Sequence, residues 1–153
     1  MSTAALLQIA EAVAARLAAA AGELAGLAGY TIDVGFIPQT RLTDLAESGR
    51  IDIIGKSRAS SIQSRNAKQR THEIDILIRR RATNTGELPT EAIVDAFLAL
   101  VAEIGDLFEG RRLEDYPAAM CTGWTNAPAW DPVHLEQHTQ LTSLLTLTFT
   151  SHV

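Results

Sequence analysis

Cysteine is nearly missing from this 153-residue chain, in which Cys121 stands alone. A lone thiol closes no internal disulfide and builds no multi-cysteine metal site, which fits a reducing compartment. Aromatic residues are scarce at 5%, and the basic residues are not interleaved with them, so a base-stacking nucleic-acid surface has little material. Long apolar runs are lacking too. The longest uncharged stretch, Gln137 to Val153, alternates threonine with leucine or phenylalanine, a strand pattern rather than a membrane span. At the N-terminus no basic segment leads the apolar residues, and Glu11 and Arg16 interrupt them within a signal peptide's length, so secretion is not expected.

Catalytic signatures are missing as well. No G-x-S-x-G elbow occurs, and the glycines form neither G-x-G-x-x-G nor a phosphate-cradling G-x-x-x-x-G-K-[ST] loop; Gly55-Lys56-Ser57 is too little by itself. His134 and His138 are four residues apart, but Glu136 is misplaced for H-E-x-x-H and Pro132 comes just before. Even with Cys121 or Asp131 as a third ligand, ordinary loop histidines are the better reading. His72 reads as a strand-surface residue and His152 as a tail residue. Cys121 has no basic neighbour in sequence to lower its pKa and reads as a buried structural thiol. Glu73 and Asp75 share a strand face without a convergent partner, the pattern of a solvated or salt-bridged surface. The chain is therefore expected to be no enzyme, with no catalytic residue, metal or cofactor.

What is present is enough apolar material for one core. Hydrophobic residues make up 46%, charged residues 20%, and mean hydropathy is +0.07, which describes a single globular domain over residues 1–153. The net charge of -5 hides an asymmetry. Residues 50–81 hold nine of the thirteen basic residues and three acids, a local excess of +6, and the remainder carries -11. Lys56, Arg58, Arg65, Lys68 and Arg70 form a basic feature suited to phosphates or to an acidic face of another copy.

Periodicity supplies the elements. Leu6, Ile9, Ala10, Val13, Leu17 and Leu24 predict a helix from Thr3 to about Leu24, with Gly22, Gly26 and Gly29 as candidate caps. Tyr30 to Ile37 alternates as a strand ended by Pro38, and a second strand spans Arg50 to about Lys56. Ser57 to Gln69 is polar and basic and should be an exposed or mobile excursion. Thr71 to Arg81 is a third strand with Ile74, Ile76 and Ile78 on one side, so strands two and three make a long hairpin with a basic tip. A second helix runs from Pro89 to about Phe108 and stops at Gly110, with Ile93, Phe97, Leu100, Val101, Ile104 and Leu107 as its stripe. A short strand near Ala118 to Trp124 and a strong last strand around Leu145, Leu147 and Phe149 follow. The order αβββαββ describes an α+β fold, two helices packed on a mostly antiparallel sheet. Trp124 and Trp130, flanking Pro128, could anchor a partner or fold onto their own core.

Taken together, the chain resembles the tail-terminator or tail-completion proteins of long-tailed bacteriophages and related gene-transfer particles. The resemblance covers nearly the whole sequence. It rests on the alanine-rich first helix, Phe36-Ile37-Pro38-Gln39, Arg50-Ile51-Asp52-Ile53 with its basic excursion, and Glu73-Ile74-Asp75-Ile76-Leu77-Ile78. Gly110-Arg111-Arg112-Leu113 and Leu144-Leu145-Thr146-Leu147-Thr148-Phe149 continue it. It implies a virion protein of the neck, assembled in the host cytoplasm. Such a protein forms a hexameric ring on the head-proximal end of the tail tube, ends tube growth and offers a surface to the head-tail connector. It also implies that the basic hairpin lies at a subunit boundary or faces the channel, where it touches DNA without base selectivity. The alternatives are a head-closure or tail-adaptor connector on the portal side, and a small ligand-binding module or enzyme.

Overall fold

Alanine and leucine at helical spacing give α1 (Ala5–Ala20), which buries Ile9, Val13 and Leu17 completely. The computed structural model describes residues 4–27, 30–35, 49–81, 90–127 and 140–152. The helix is shorter than its apolar spacing suggested. It closes on Ala21 in right-handed conformation rather than on a glycine, and a separate 3-10 turn at Ala25–Leu27 brings Leu27 into the core.

The strands are β1 (Thr31–Gly35), β2 (Arg50–Ser64), β3 (Ala67–Arg81), β4 (Met120–Asn126) and β5 (Gln140–His152), with α2 (Glu91–Phe108) between β3 and β4. They form one five-stranded sheet in the order β1-β2-β3-β5-β4. The β1–β2 pair is parallel and the other three pairs are antiparallel. The αβββαββ order and the α+β class expected from the sequence are both seen. The basic excursion is exposed, as expected, but it does not leave the sheet. Its residues continue β2 and β3 to a turn at Arg65 and Asn66, and β5 pairs with β3 as far as Gln69 opposite His152. Apolar patterning reports burial, whereas the backbone ladder forms under polar side chains just as well.

Both helices lie on one face of this sheet. Ile51, Ile53, Ile74, Ile76, Ile78, Leu145, Leu147 and Phe149 share that face and are wholly buried. Leu6 of α1 lies so close to Gly55 that a Cβ there would come within 2.7 Å of it. On α2, Gly105 makes room in the same way for the indole of Trp124 on β4. Phe108 meets Phe149 edge-on, with ring centroids 6.4 Å apart.

The opposite face is polar, and its centre is an ion-pair chain. Asp52 is 2% exposed; its Oδ2 accepts from Arg79 Nη2 at 2.7 Å and its Oδ1 from Arg50 Nε at 3.1 Å. Arg50 Nη2 lies 2.5 Å from Asp33 Oδ2 on β1, so the chain spans three strands. Nearby, Thr146 Oγ1 donates to Asp75 Oδ1 at 2.7 Å across β3 and β5.

Two outcomes follow from these contacts. Asp52→Ala leaves buried guanidinium charge uncompensated and should cost about 3–5 kcal/mol, read as a lowered urea midpoint, with Asp52→Asn retaining part of the loss. Gly49 has φ +80°, and a Cβ there would stand 2.7 Å from the Arg79 carbonyl oxygen. Gly49→Ala should therefore cost roughly 1–3 kcal/mol, whereas Gly22→Ala, which meets nothing within 4 Å, should leave the midpoint within about 0.5 kcal/mol or raise it.

Candidate functional site

The basic hairpin begins where burial of the sheet stops. Among the described residues, β1 pairs with β2 as far as Gly35 opposite Ile54, and the helix cover reaches Leu6 against Gly55. A register shift between Gly55 and Ser57 then bulges β2, and such bulges bend a strand and strengthen its local twist. Glu73 collects the neighbours of the bulge: Ser57 Oγ donates to its Oε2 at 3.2 Å, and Lys56 Nζ lies 3.9 Å from the same oxygen. Beyond it, β2 is exposed through Ser64, and Ile62, at 77% exposure, is the one large apolar side chain among the described residues left in solvent.

Side-chain alternation sorts the cations. Arg58 opposes His72, Ser60 opposes Arg70, and Ile62 opposes Lys68. Arg58, Lys68 and Arg70 therefore share the helix-side face, Arg65 occupies the turn, and Lys56 is held at the bulge. From Ser57 to Arg70 there are four cations and no acid. Among the described residues, none of Arg58, Arg65, Lys68 or Arg70 forms an ion pair. Of the basic residues expected to act together, the structure groups three on one face, leaves one at the tip and pairs one with Glu73.

His72 departs from its expected surface position. It has the same parity as Ile74, points to the helix side and is only 3% exposed. Its Nδ1 is shielded from solvent and has no hydrogen-bond partner among the described residues. Burial pushes its pKa below the usual histidine value, and the positive charges of Arg58 and Arg70 push the same way. With Ala5, Arg58, Ser60 and Arg70 it lines a cavity of about 380 Å³ at the hairpin's root. A larger cavity of about 590 Å³ lies at the β4 side, lined by residues that include Gln69, Arg112, Met120, Thr122 and His152, with no carboxylate or thiol side chain among the described residues.

The remaining candidates separate from this site. Trp124 is half-buried, packed against Gly105 and the core, and Trp130 lies outside the described residues. Asp131, His134 and His138 lie outside them too. Cys121 is wholly buried, its Sγ lies 3.4 Å from the Gly123 carbonyl oxygen, and burial raises its pKa, so it is a structural thiol rather than a ready nucleophile. Among the described residues no three His, Cys, Asp or Glu side chains gather as a metal site, and no helix is long and apolar enough to cross a membrane. Sequence reasoning placed His72 on the strand surface and did not bring the start of α1 to the hairpin root. The parity of Ile74, Ile76 and Ile78 was the signal that would have turned His72 inward.

Compared with known proteins, the chain matches no protein-family model and no curated protein.

The lowered pKa of His72 has a definite sign. Between its folded value and about 6.5 the unfolded chain binds the extra proton, so the stability that His72 provides is complete above about pH 6.5 and is lost as pH falls. Urea midpoints in a zwitterionic buffer should drop more for the natural chain than for His72→Gln between about pH 7.5 and about pH 5.5. Equal drops would mean that another group controls the acid response.

Proposed function

We propose that this chain is a non-enzymatic structural subunit of the neck of a long-tailed phage or gene-transfer particle. In this reading, copies close into a hexameric ring on the head-proximal end of the tail tube. The ring stops tube growth and gives the head connector a surface to join. The observation that carries the reading is the exposed hairpin, whose cations from Arg58 to Arg70 have no acid among them, on a chain that is otherwise acidic.

A closed ring needs two unlike patches per subunit, joined head to tail through a rotation that returns to its start. The hairpin and the acidic remainder supply opposite charge for such a contact. The sheet supplies unlike edges as well: among the described residues the outer edge of β2 beyond Ile54 has no strand partner, whereas the outer side of β4 is met at Met120 and Cys121 by the backbone of Gly110 to Arg112. At a subunit boundary the cations would face a neighbour's acids; in the channel they would meet DNA phosphates without reading bases.

Native mass spectrometry and negative-stain imaging, with the chain alone and with tail tubes, should find rings of about six copies in at least one condition. Replacing Arg65, Lys68 and Arg70 by Glu should shift the population toward monomer, and raised salt should weaken the natural ring. A chain that stays monomeric with and without tubes removes the proposal.

A further inference from the structure

We infer that the root of the basic hairpin is a phosphate-binding site, formed by Arg58 of β2, Arg70 and His72 of β3 and the first turn of α1. These groups line one cavity of about 380 Å³, together with the Ser60 hydroxyl. All come from one chain, so the inference stands whether or not the protein forms a ring.

Three independent features converge there. The first is charge. Arg58 and Arg70 lie on the same face of adjacent strands, offset by one residue pair, and neither has an acid partner among the described residues. Like charges on one face of neighbouring strands repel each other, an anion between them relieves that repulsion, and the forked N–H groups of arginine match phosphate oxygens.

The second is the end of α1. The opening amides of a helix have no partner inside it and carry partial positive charge. Ala4, at the N-cap position, has no side chain that could accept from them, and Ala5 borders the cavity. An oxyanion there would satisfy donors that the Ala4 side chain leaves uncapped.

The third is His72. It lines the cavity and is 3% exposed, and its Nδ1 lacks a hydrogen-bond partner among the described residues. A buried polar atom without a partner is costly and rare. A turn of the ring toward the cavity would bring this nitrogen within reach of a phosphate oxygen, to which the Nδ1–H tautomer, or the imidazolium, would donate. Arg58 and Arg70 bring no acceptor to such an atom; a phosphate brings several.

Such a phosphate could belong to a free phosphate or phosphomonoester, or to a nucleic-acid backbone. The test is a titration of the full chain with inorganic phosphate in a zwitterionic buffer, followed by amide NMR. Saturable shifts should concentrate at Ala5 to Leu7, Arg58, Arg70 and His72. Arg58→Gln and Arg70→Gln, at exposed positions that leave the core intact, should each weaken binding by about tenfold or more, and Arg65→Gln at the turn should change it by less than about twofold. Displacement of the phosphate by a short duplex with no base preference would identify a backbone phosphate; a duplex that fails to displace it would identify a small phosphate ligand. No saturable shift up to tens of millimolar phosphate, or equal weakening by Arg65→Gln, overturns the inference.

Discussion

The carboxylate of Asp52 fixes three strands at once. It receives Arg79 from β3 and Arg50 from its own strand, and Arg50 reaches on to Asp33 of β1. A slip of one residue in β2 or β3 would break this chain and would also turn the isoleucine rows of the helix side into the polar face. The pairing of β2 with β3 is thus specified twice, by apolar burial on one face and by charge on the other. Buried ion pairs contribute little net stability because of desolvation, but their geometry discriminates strongly against alternatives. That fits a sheet whose longest pair of strands continues beyond its core.

Fixed at its root, the hairpin stays in the sheet without a core beneath its outer part. Near Ile51 and Ile78 the strands are buried under the helices; past Gly55 and Ile74 the same ladder runs on with polar and basic side chains. Leu6 against Gly55 marks the change, and the bulge just beyond it opens the register. Chemistry gathers at this boundary because groups there are ordered by the body and still reach solvent. Arg58 and Arg70 have no acid partner among the described residues, while His72, one step inward, is already buried. Among the described residues, the site lies where the ladder runs on past its helical cover.

Much of this was legible in the residues. Alternating isoleucines identified β3 and its inward face, the spacing of Phe97, Val101 and Ile104 identified α2, and turn residues separated the elements in the right order. Element ends were less legible: α1 stops at Ala20 although apolar spacing continues to Leu24, and β2 and β3 run through a stretch with almost no large apolar residue. Helical spacing cannot tell a helix from a following turn that buries its own leucine, as Leu27 does. Polar composition cannot tell a loop from a paired strand, because the ladder uses backbone groups that every residue except proline carries.

By itself the sequence determined which face of each element is apolar, where the basic charge lies and which catalytic signatures are lacking, since all of these depend on residue type and spacing along one chain. Only the tertiary structure decided that Arg79 reaches Asp52, that Trp124 settles over Gly105, and that the first turn of α1 stands beside Arg58, Arg70 and His72. Those are meetings between distant segments. They depend on strand order, register and the close approach that Gly55 and Gly105 permit, and no local pattern encodes such distances.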